Sequence, residues 1–287
     1  MKNAWETYGV ARVADRLMAA RVENDGARLS VASLVTSDDG FSRDSLESGR
    51  LFFNVDARIT VVKQIRIKRS GLLGAAELVQ FEMSQALLDP PESFYFDTLP
   101  VDERNGYRTF LGIAYHRQEI DRQMAAYAEL LRKPSGFKLD AVALAVGYLT
   151  FCRVEAGDLQ LLIDLSPHRV TLAILFRRQL RQVGHLDLAP GEKPSLGAAS
   201  QLAKEVKMTA SYHLGQLFHD GITIPLSRIV LCGPLAADPL ISAGLAEHFT
   251  TEITRPQFHE GYFQSSPAPL NHHLPEQFLI PLGLAVP

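Results

Sequence analysis

The sequence predicts an α/β fold with mixed sheets, and two patterns in it support this class. Apolar segments of strand length alternate along the chain with segments whose apolar residues recur at helical spacing. At 287 residues with 46% hydrophobic content, the chain is long enough for one large domain or two lobes with a well-filled core. The sequence has no internal repeat at solenoid spacing, so a repeat architecture is not expected.

Three strands are predicted over residues 7–36. TYGVARVA and RLMAARVEND have the pattern of two arms of a hairpin, and ARLSVASLVT follows the turn dipeptide Asp25-Gly26. The polar run SDDGFSRDSLESG then acts as a connector.

Residues 51–132 are predicted to form a compact ββαββα unit. LFFNVD and RITVVKQIRIK are strands, and a helix follows whose apolar residues share one face until Asp89-Pro90-Pro91 ends it. Two more strands, SFYFDTLP and YRTFLGIAYH, precede a second amphipathic helix. In the second strand, alternation puts Arg66 and Lys68 on the face opposite Ile65 and Ile67.

The rest of the chain adds helices and strands in alternation. Residues 139–151 predict a buried helix because Ala and Leu dominate an almost entirely apolar run. Further predicted elements, in order, are the hairpin at 161–175, a strand in RRQLRQVGHLDLA, the longest amphipathic helix at 195–219, the buried strand SRIVLCG, a helix in PLAADPLISAGLAEHF, the edge strand TEITRP, and a closing helix that begins at Pro275 and is interrupted at Pro281.

Composition excludes several classes of protein. A formal net charge of −3 gives no nucleic-acid-binding signature. The two cysteines, Cys152 and Cys232, lie in apolar settings and predict buried free thiols in a reducing compartment. No apolar run approaches the ~20 residues of a membrane helix, and the N-terminal stretch MKNAWETYGV lacks the apolar core of a signal peptide. We therefore expect a soluble cytoplasmic protein without direct membrane insertion.

The order of elements resembles the actin-like fold, in the version used by PilM-type proteins of type IV pilus assembly. Four stretches carry the resemblance: LFFNVDARITVVKQIRIKRSGLLGAAELVQFEMSQALLDPPESFYFD, FLGIAYHRQEIDRQMAAYAELLRKPSGFKLDAVALAVG, LQLLIDLSPHRVTLAIL, and RIVLCGPLAADPLISAGLAEHF with the terminal PLGLAV. The resemblance implies an actin-like (RNase H-like) two-lobed fold with an inserted ββαββα subdomain. The implied division is 1–50 as the first part of lobe I, 51–132 as the inserted subdomain, 133–155 as the return to lobe I, 156–274 as lobe II, and 275–287 as the closing helix.

The nucleotide loops of the resembled family are altered in this chain. ATP-binding members place a strand-Asp-x-Gly turn near the N-terminus, where this sequence has Ala11 and Val13. The second phosphate loop retains Asp164 but replaces the glycine by Ser166. Pro167, His168 and Arg169 complete that loop, and in the adenosine loop Gly233 is followed by Pro234. Between residues 185 and 195 the family's segment that closes over the nucleotide is absent, which implies a reduced small subdomain in lobe II.

These departures predict a degenerate nucleotide site. A β-branched Val13 obstructs close approach of the backbone to phosphate, and Pro167 removes a main-chain donor. We expect no catalytic residues, no metal ligands and no bound cofactor; ATP and magnesium are expected only if the loops still function. Arginine and histidine side chains could in principle replace the lost donors. The nucleotide-facing positions implied by the resemblance are Gly9, Arg12, Asp164, Ser166, His168 and Gly233.

Three functions remain compatible with the sequence. The first is a non-catalytic scaffold at the inner-membrane assembly platform of a type IV pilus or related secretion system. The second is a true ATP-binding PilM-type protein with unusual phosphate loops, and the third is an actin-fold small-molecule kinase, which the missing glycines weigh against most.

The resemblance also implies a partner. This would be a PilN-like single-pass inner-membrane protein whose cytoplasmic N-terminal peptide docks within residues 51–132, with strand 59–67 and helix 74–88 as a candidate surface. The protein would then be cytoplasmic and peripheral at the inner membrane. A related secretion-system protein carries the same fold ahead of a membrane helix, and this chain could correspond to such a cytoplasmic part.

Overall fold

The computed structural model describes residues 5–13, 16–46, 49–56, 59–68, 74–104, 106–155, 158–188, 196–219, 221–263 and 274–287. The strands are β1 (Trp5–Val13), β2 (Arg16–Asn24), β3 (Leu29–Thr36), β4 (Arg50–Val55), β5 (Thr60–Lys68), β6 (Phe94–Arg104), β7 (Tyr107–His116), β8 (Gly136–Leu139), β9 (Leu159–Ser166), β10 (Arg169–Phe176), β11 (Gln179–Asp187), β12 (Leu226–Cys232) and β13 (Ile253–Thr254). The α-helices are α1 (Ala75–Ser84), α2 (Arg117–Leu130), α3 (Asp140–Phe151), α4 (Leu196–His219), α5 (Pro239–His248) and α6 (Leu279–Ala285).

Two five-stranded sheets share one topology. The first has the order β3-β2-β1-β4-β8 and the second the order β11-β10-β9-β12-β13. In the first sheet, β1, β2 and β3 are antiparallel neighbours, and β4 and β8 run parallel to β1. In the second sheet, β9, β10 and β11 are antiparallel neighbours, and β12 and β13 run parallel to β9. The predicted two-lobed α/β architecture is therefore confirmed.

Helices α3 and α6 fill the space between the two sheets. Their buried side chains form one core with Ala11 and Phe52 of the first sheet and with Leu162 and Ala173 of the second. The two helices approach each other so closely that a Cβ added at Gly283 would lie 1.7 Å from the carbonyl oxygen of Ala143. Small residues in both helices thus allow the lobes to share a single interior.

A smaller sheet with the order β5-β7-β6 carries helix α1 on one face. Ile65 and Ile67 of β5 are buried against Val79 and Met83 of α1. Arg66 and Lys68 are exposed on the other face, as the alternation predicted.

The predicted element order ββαββα is present over residues 51–132, but its limits are corrected by the pairing of β4. This strand lies between β1 and β8 in the first sheet, so it belongs to lobe I. Helix α2 also packs on lobe I, where the ring centroids of Tyr127 and Phe53 are 4.7 Å apart. β4 is buried on both faces, as a central parallel strand must be. The inserted sheet therefore consists of β5, β6 and β7 with α1.

The second lobe contains the predicted hairpin at 161–175, formed by β9 and β10 in antiparallel register. The third strand (β11), the long helix (α4), the buried strand (β12) and the edge strand (β13) are also as predicted. Residues 189–195, where the reduced small subdomain was expected, lie outside the described residues.

The C-terminal helix differs from its prediction. A 3₁₀ turn at Pro275–Phe278 leads into α6, which continues through Pro281 without interruption. Pro281 occupies the first turn of α6, where its missing N–H would have had no partner within the helix. The short strand β8 was not predicted, because a four-residue strand gives too little alternation to detect.

Candidate functional site

The two lobes meet where three chain segments converge. These are the end of β1 near Ala11 to Val13, the tight turn between β9 and β10, and the loop that begins at Gly233 after β12. The equivalent ends of the two sheets face each other here, because the lobes have the same topology. This junction is where the sequence predicted the nucleotide-facing residues.

The centre of this junction holds a very small cavity. The cavity between Arg12, Asp164, Ser166, Arg169 and Pro234 has a volume of about 10 Å³. A single buried water needs roughly 10–15 Å³ of such volume. This cavity therefore has room for about one water molecule, and a larger groove adjoins it on the side of Arg12, Ser166 and Arg169.

Asp164 lies at the centre of the junction and is buried. Its Oδ1 accepts a hydrogen bond of 3.1 Å from the Oγ of Ser166. Burial raises the pKa of Asp164 to about 7, with the Asp140 carboxylate acting in the same direction and the Ser166 hydrogen bond opposing it. In the absence of a nearby cation, a carboxyl group with this pKa carries only part of a charge near neutral pH.

Gly233 serves the close packing of its loop on the hairpin. Its φ is +92°, and a Cβ added there would lie 2.6 Å from the main-chain N of Leu165 and 2.9 Å from the Oδ2 of Asp164. The following loop is fixed by the N–H of Leu235, which donates to the carbonyl oxygen of Leu165 over 3.0 Å. Glycine is favoured here by its positive φ and by the close approach of the Leu165 backbone and the Asp164 side chain.

Arg169, the first residue of β10, joins the two lobes. Its guanidinium forms ion pairs with Asp56, after β4, and with Asp140 at the start of α3, the latter at 2.6 Å. The Asp140 side chain is only 1% exposed. Burial alone would lower the pKa of Arg169, but the carboxylates of Asp140 and Asp56 outweigh it and raise the pKa above its usual value.

Asn54 extends this network within lobe I. Its Nδ2 donates to Asp140 Oδ1 at 2.8 Å, and its Oδ1 accepts from the main-chain N–H of Arg12 at 3.0 Å. We call the set Asn54, Asp56, Asp140 and Arg169 the interlobe clasp. Sequence reasoning did not identify Asn54, Asp56 or Asp140 as part of the site. The available signal was Asp140, a single acid in an otherwise apolar helical run.

Two predicted positions lie elsewhere. Gly9 faces α6, since a Cβ there would be 2.0 Å from the carbonyl oxygen of Pro281, so it serves helix packing. His168 lines a neighbouring groove instead of the 10 Å³ cavity. Arg12, Asp164 and Ser166 are brought together with Arg169, and Gly233 packs beside them.

The neighbouring groove runs between lobe I and the β9–β10 turn, along α2. It has a volume of about 290 Å³ and is lined partly by apolar side chains, among them Val13, Leu17, Ala126 and Leu130. Leu130 is 54% exposed. We call this the α2 groove; His168, Arg122 and Arg169 provide its polar rim.

Two kinds of feature are absent from the described part of the chain. There, no group of three or more His, Cys, Asp or Glu side chains could hold a metal ion. In the same residues, no helix is both long and apolar enough to cross a membrane.

The fold of this chain is similar to that of a solved pilus-assembly protein. The PilM-PilN type IV pilus biogenesis complex contains a chain that aligns over 98% of this protein and 97% of its own length, with a TM-score of 0.65 and 14% identity. This chain has a PilM-like, actin-like fold. Neither a protein-family model nor the sequence of a curated protein matches it.

Two further structures are similar at lower scores. One is a Bacteroides thetaiotaomicron protein with an actin-like ATPase fold and unknown function, with 9% identity, coverage of 87% of this chain and 90% of that chain, and a TM-score of 0.47. The other is the cytoplasmic domain of EpsL, an inner membrane component of the type II secretion system of Vibrio cholerae, with 10% identity, coverage of 97% and 94%, and a TM-score of 0.49. In the PilM-like fold described here, the junction crossed by the interlobe clasp lies between the two actin-like lobes.

Proposed function

We propose that this protein is a non-catalytic, PilM-like scaffold of the inner-membrane assembly platform of a type IV pilus or related secretion system. It would act in the cytoplasm and reach the membrane through a partner, without hydrolysing ATP. The observation that carries the first part of the proposal is the full-length similarity to the chain in the PilM-PilN complex. The remaining parts rest on the junction and the α2 groove.

The junction supports the absence of ATP hydrolysis. A triphosphate does not fit in the 10 Å³ cavity beside Asp164, and widening that cavity would displace Arg169 from the buried Asp140. Separating buried charges of this kind costs several kcal/mol. Pro167 and Pro234 also have no main-chain N–H to offer to a phosphate at the two loops.

The α2 groove supports the docking of a partner peptide. We propose that it receives the cytoplasmic N-terminal segment of a PilN-like single-pass membrane protein. The groove combines apolar walls with polar groups at its rim, the composition expected where an extended peptide inserts apolar side chains. The groove borders α2, which lies within the predicted range 51–132, but it is also lined by residues outside that range, from β1, β2 and the β9–β10 turn. A groove of this size predicts an affinity near the micromolar range.

Calorimetric titration with ATP and magnesium tests the first part. The full chain should give no heat of binding below about 1 mM ATP and release no phosphate. A dissociation constant in the micromolar range, about −8 kcal/mol, would instead identify a true ATP-binding assembly protein.

Fluorescence titration with the cytoplasmic N-terminal peptide of the membrane protein encoded beside this gene tests the second part. Leu130→Asp should weaken peptide binding at least about tenfold, or about 1.4 kcal/mol, because it places a charge in the apolar wall. Leu88→Asp is the matched control, since Leu88 is fully exposed and does not line the groove. Equal binding by the wild type and Leu130→Asp would place the peptide elsewhere.

A further inference from the structure

A second and larger cleft opens between the inserted sheet and lobe II. It has a volume of about 860 Å³ and lies on the sheet face opposite α1. The sheet contributes Gln64, Arg66, Asp102 and Arg104, and lobe II contributes Arg181 and Gln182. The two sides touch where the Nε2 of Gln182 donates to the Oε1 of Gln64 at 3.0 Å.

The cleft has an excess of positive charge. Arg104 and Arg181 share one carboxylate, with nitrogen-to-oxygen distances of 2.7 Å and 3.4 Å to Asp102 Oδ2. Arg66 of β5 and Asp102 of β6 are both paired with Thr109 of the central strand β7, one on each side of it. The guanidinium of Arg66 lies over the ring of Tyr107, 4.5 Å from its centroid. Among the described residues that line the cleft, Asp102 is the only acidic one.

Arg181 is the most buried arginine of this cluster, and its Nη2 donates to the Oε1 of Gln179 at 2.9 Å. It is 3% exposed, and its Nε has no hydrogen-bond acceptor within the described part of the chain. Burial lowers the pKa of Arg181; Asp102 opposes this effect, while the neighbouring Arg104 and Arg177 add to it. A guanidinium that is buried, partly unpaired and close to other cations is stabilised by an added anion.

The uncharged side chains of the cleft indicate which kind of molecule the anionic group belongs to. Beyond the bond between Gln182 Nε2 and Gln64 Oε1, the amide groups of Gln64, Gln182 and Gln216 retain further donors and acceptors, the combination that matches a peptide main chain. Strand β5 is at an edge of the inserted sheet, so in the described structure its outer side pairs with no other strand. An inorganic phosphate would use the donors and leave the amide oxygens without partners.

We propose that this cleft docks an extended acidic segment of a partner protein. Carboxylates of the segment pair with Arg66, Arg104 and Arg181, and its main chain bonds to the glutamine side chains. The cleft is separate from the α2 groove, so this interaction does not depend on the proposed function. The net charge of the whole chain is −3, so general electrostatic attraction does not favour an acidic partner.

Fluorescence anisotropy of the full chain with a labelled peptide of alternating glutamate and serine tests this inference. A peptide in which glutamine replaces glutamate is the control for charge. Arg66→Gln and Arg104→Gln remove guanidiniums from exposed positions and should each weaken binding at least about fivefold. Arg108→Gln is the matched control variant, since Arg108 pairs with Glu103 at 3.0 Å on the opposite face of the same sheet and should change binding less than about twofold.

Three outcomes would overturn the inference. They are equal binding of the glutamine peptide, an equal loss in Arg108→Gln, and binding of inorganic phosphate that depends on Arg66 and Arg104 without any binding of the acidic peptide. The expected pattern is a loss specific to the two cleft variants, together with weaker binding as salt is raised.

Discussion

The guanidinium of Arg169 in lobe II lies 2.6 Å from the carboxylate of Asp140 in lobe I, at the junction of the two lobes. Asp140 is the first residue of α3, the helix packed between the sheets, and Arg169 begins the strand that follows the β9–β10 turn. A charge pair therefore occupies the position at which the fold brings its two loop systems together. Its burial makes it a link between the lobes.

Removing the cation should destabilise the protein strongly. Arg169→Leu leaves the carboxylate of Asp140 buried without this cation, and breaking a buried pair from one side costs about 3–5 kcal/mol. Urea unfolding of the variant should show this loss of unfolding free energy. The second substitution Asp140→Asn in the Arg169→Leu background should recover part of it, because it removes the uncompensated charge.

Arg108→Leu serves as the comparison for this experiment. It removes an exposed arginine whose pair with Glu103 should contribute at most about 1 kcal/mol. An Arg169→Leu protein as stable as Arg108→Leu would contradict the structural role of the interlobe clasp.

Asp164 should make stability depend on pH. Its pKa is about 7 in the folded protein because of burial, against an ordinary value of 3.8. The folded state therefore holds the proton more tightly than the unfolded chain does. The stability that this group contributes is fully present below about pH 4 and is lost as pH rises through about 7. Asp164→Asn stays neutral, so it should gain stability relative to the wild type by a few kcal/mol between about pH 5 and pH 8.

Urea unfolding at several pH values measures this effect. Asp44→Asn, at an exposed position, should give a stability profile parallel to that of the wild type. If the Asp164→Asn and wild-type profiles also run parallel, the carboxyl group is already charged in the folded protein.

The two cysteines should be unreactive until the protein unfolds. Cys152 and Cys232 are free and buried, and burial raises the pKa of both thiols. A thiol reagent needs the thiolate and access to it. Labelling of the native protein with an aromatic disulfide reagent at neutral pH should therefore be slow, and both thiols should react at once in denaturant. Rapid labelling of either cysteine in the native protein would disagree with the packing between the sheets.

Most of the fold follows from local patterns, but the clasp does not. The hairpin at 161–175 was predictable because two apolar runs flank a two-residue polar turn, and α3 because Ala and Leu dominate its run. Membership in a sheet was harder to predict. β4 precedes β5 directly in the sequence, and only its pairing with β1 and β8 assigns it to the first sheet.

Contacts between distant segments set the limit of prediction at the site. Asn54 and Asp140 are 86 positions apart in the sequence and meet only because β4 ends and α3 begins at the same junction. Gly9 illustrates the opposite error. The family resemblance implied a nucleotide-facing role for it, but the face it presents is covered by α6 from the far end of the chain.

The contact between α3 and α6 should depend on the absence of a side chain at Gly283. A Cβ there would lie 1.7 Å from the carbonyl oxygen of Ala143 and 2.7 Å from the main-chain N of Gly147, so Gly283→Ala must push the two helices apart. Overpacking of this kind costs about 1–3 kcal/mol or more, since both neighbours are backbone atoms. Gly215→Ala, at an exposed position of α4 with no atom within 4 Å of the new Cβ, should instead raise stability by about 0.5–1 kcal/mol through helix propensity. Thermal unfolding of the two variants beside the wild type should move in opposite directions, and a Gly283→Ala protein that unfolds at the wild-type temperature would mean that α3 and α6 are further apart than in this structure.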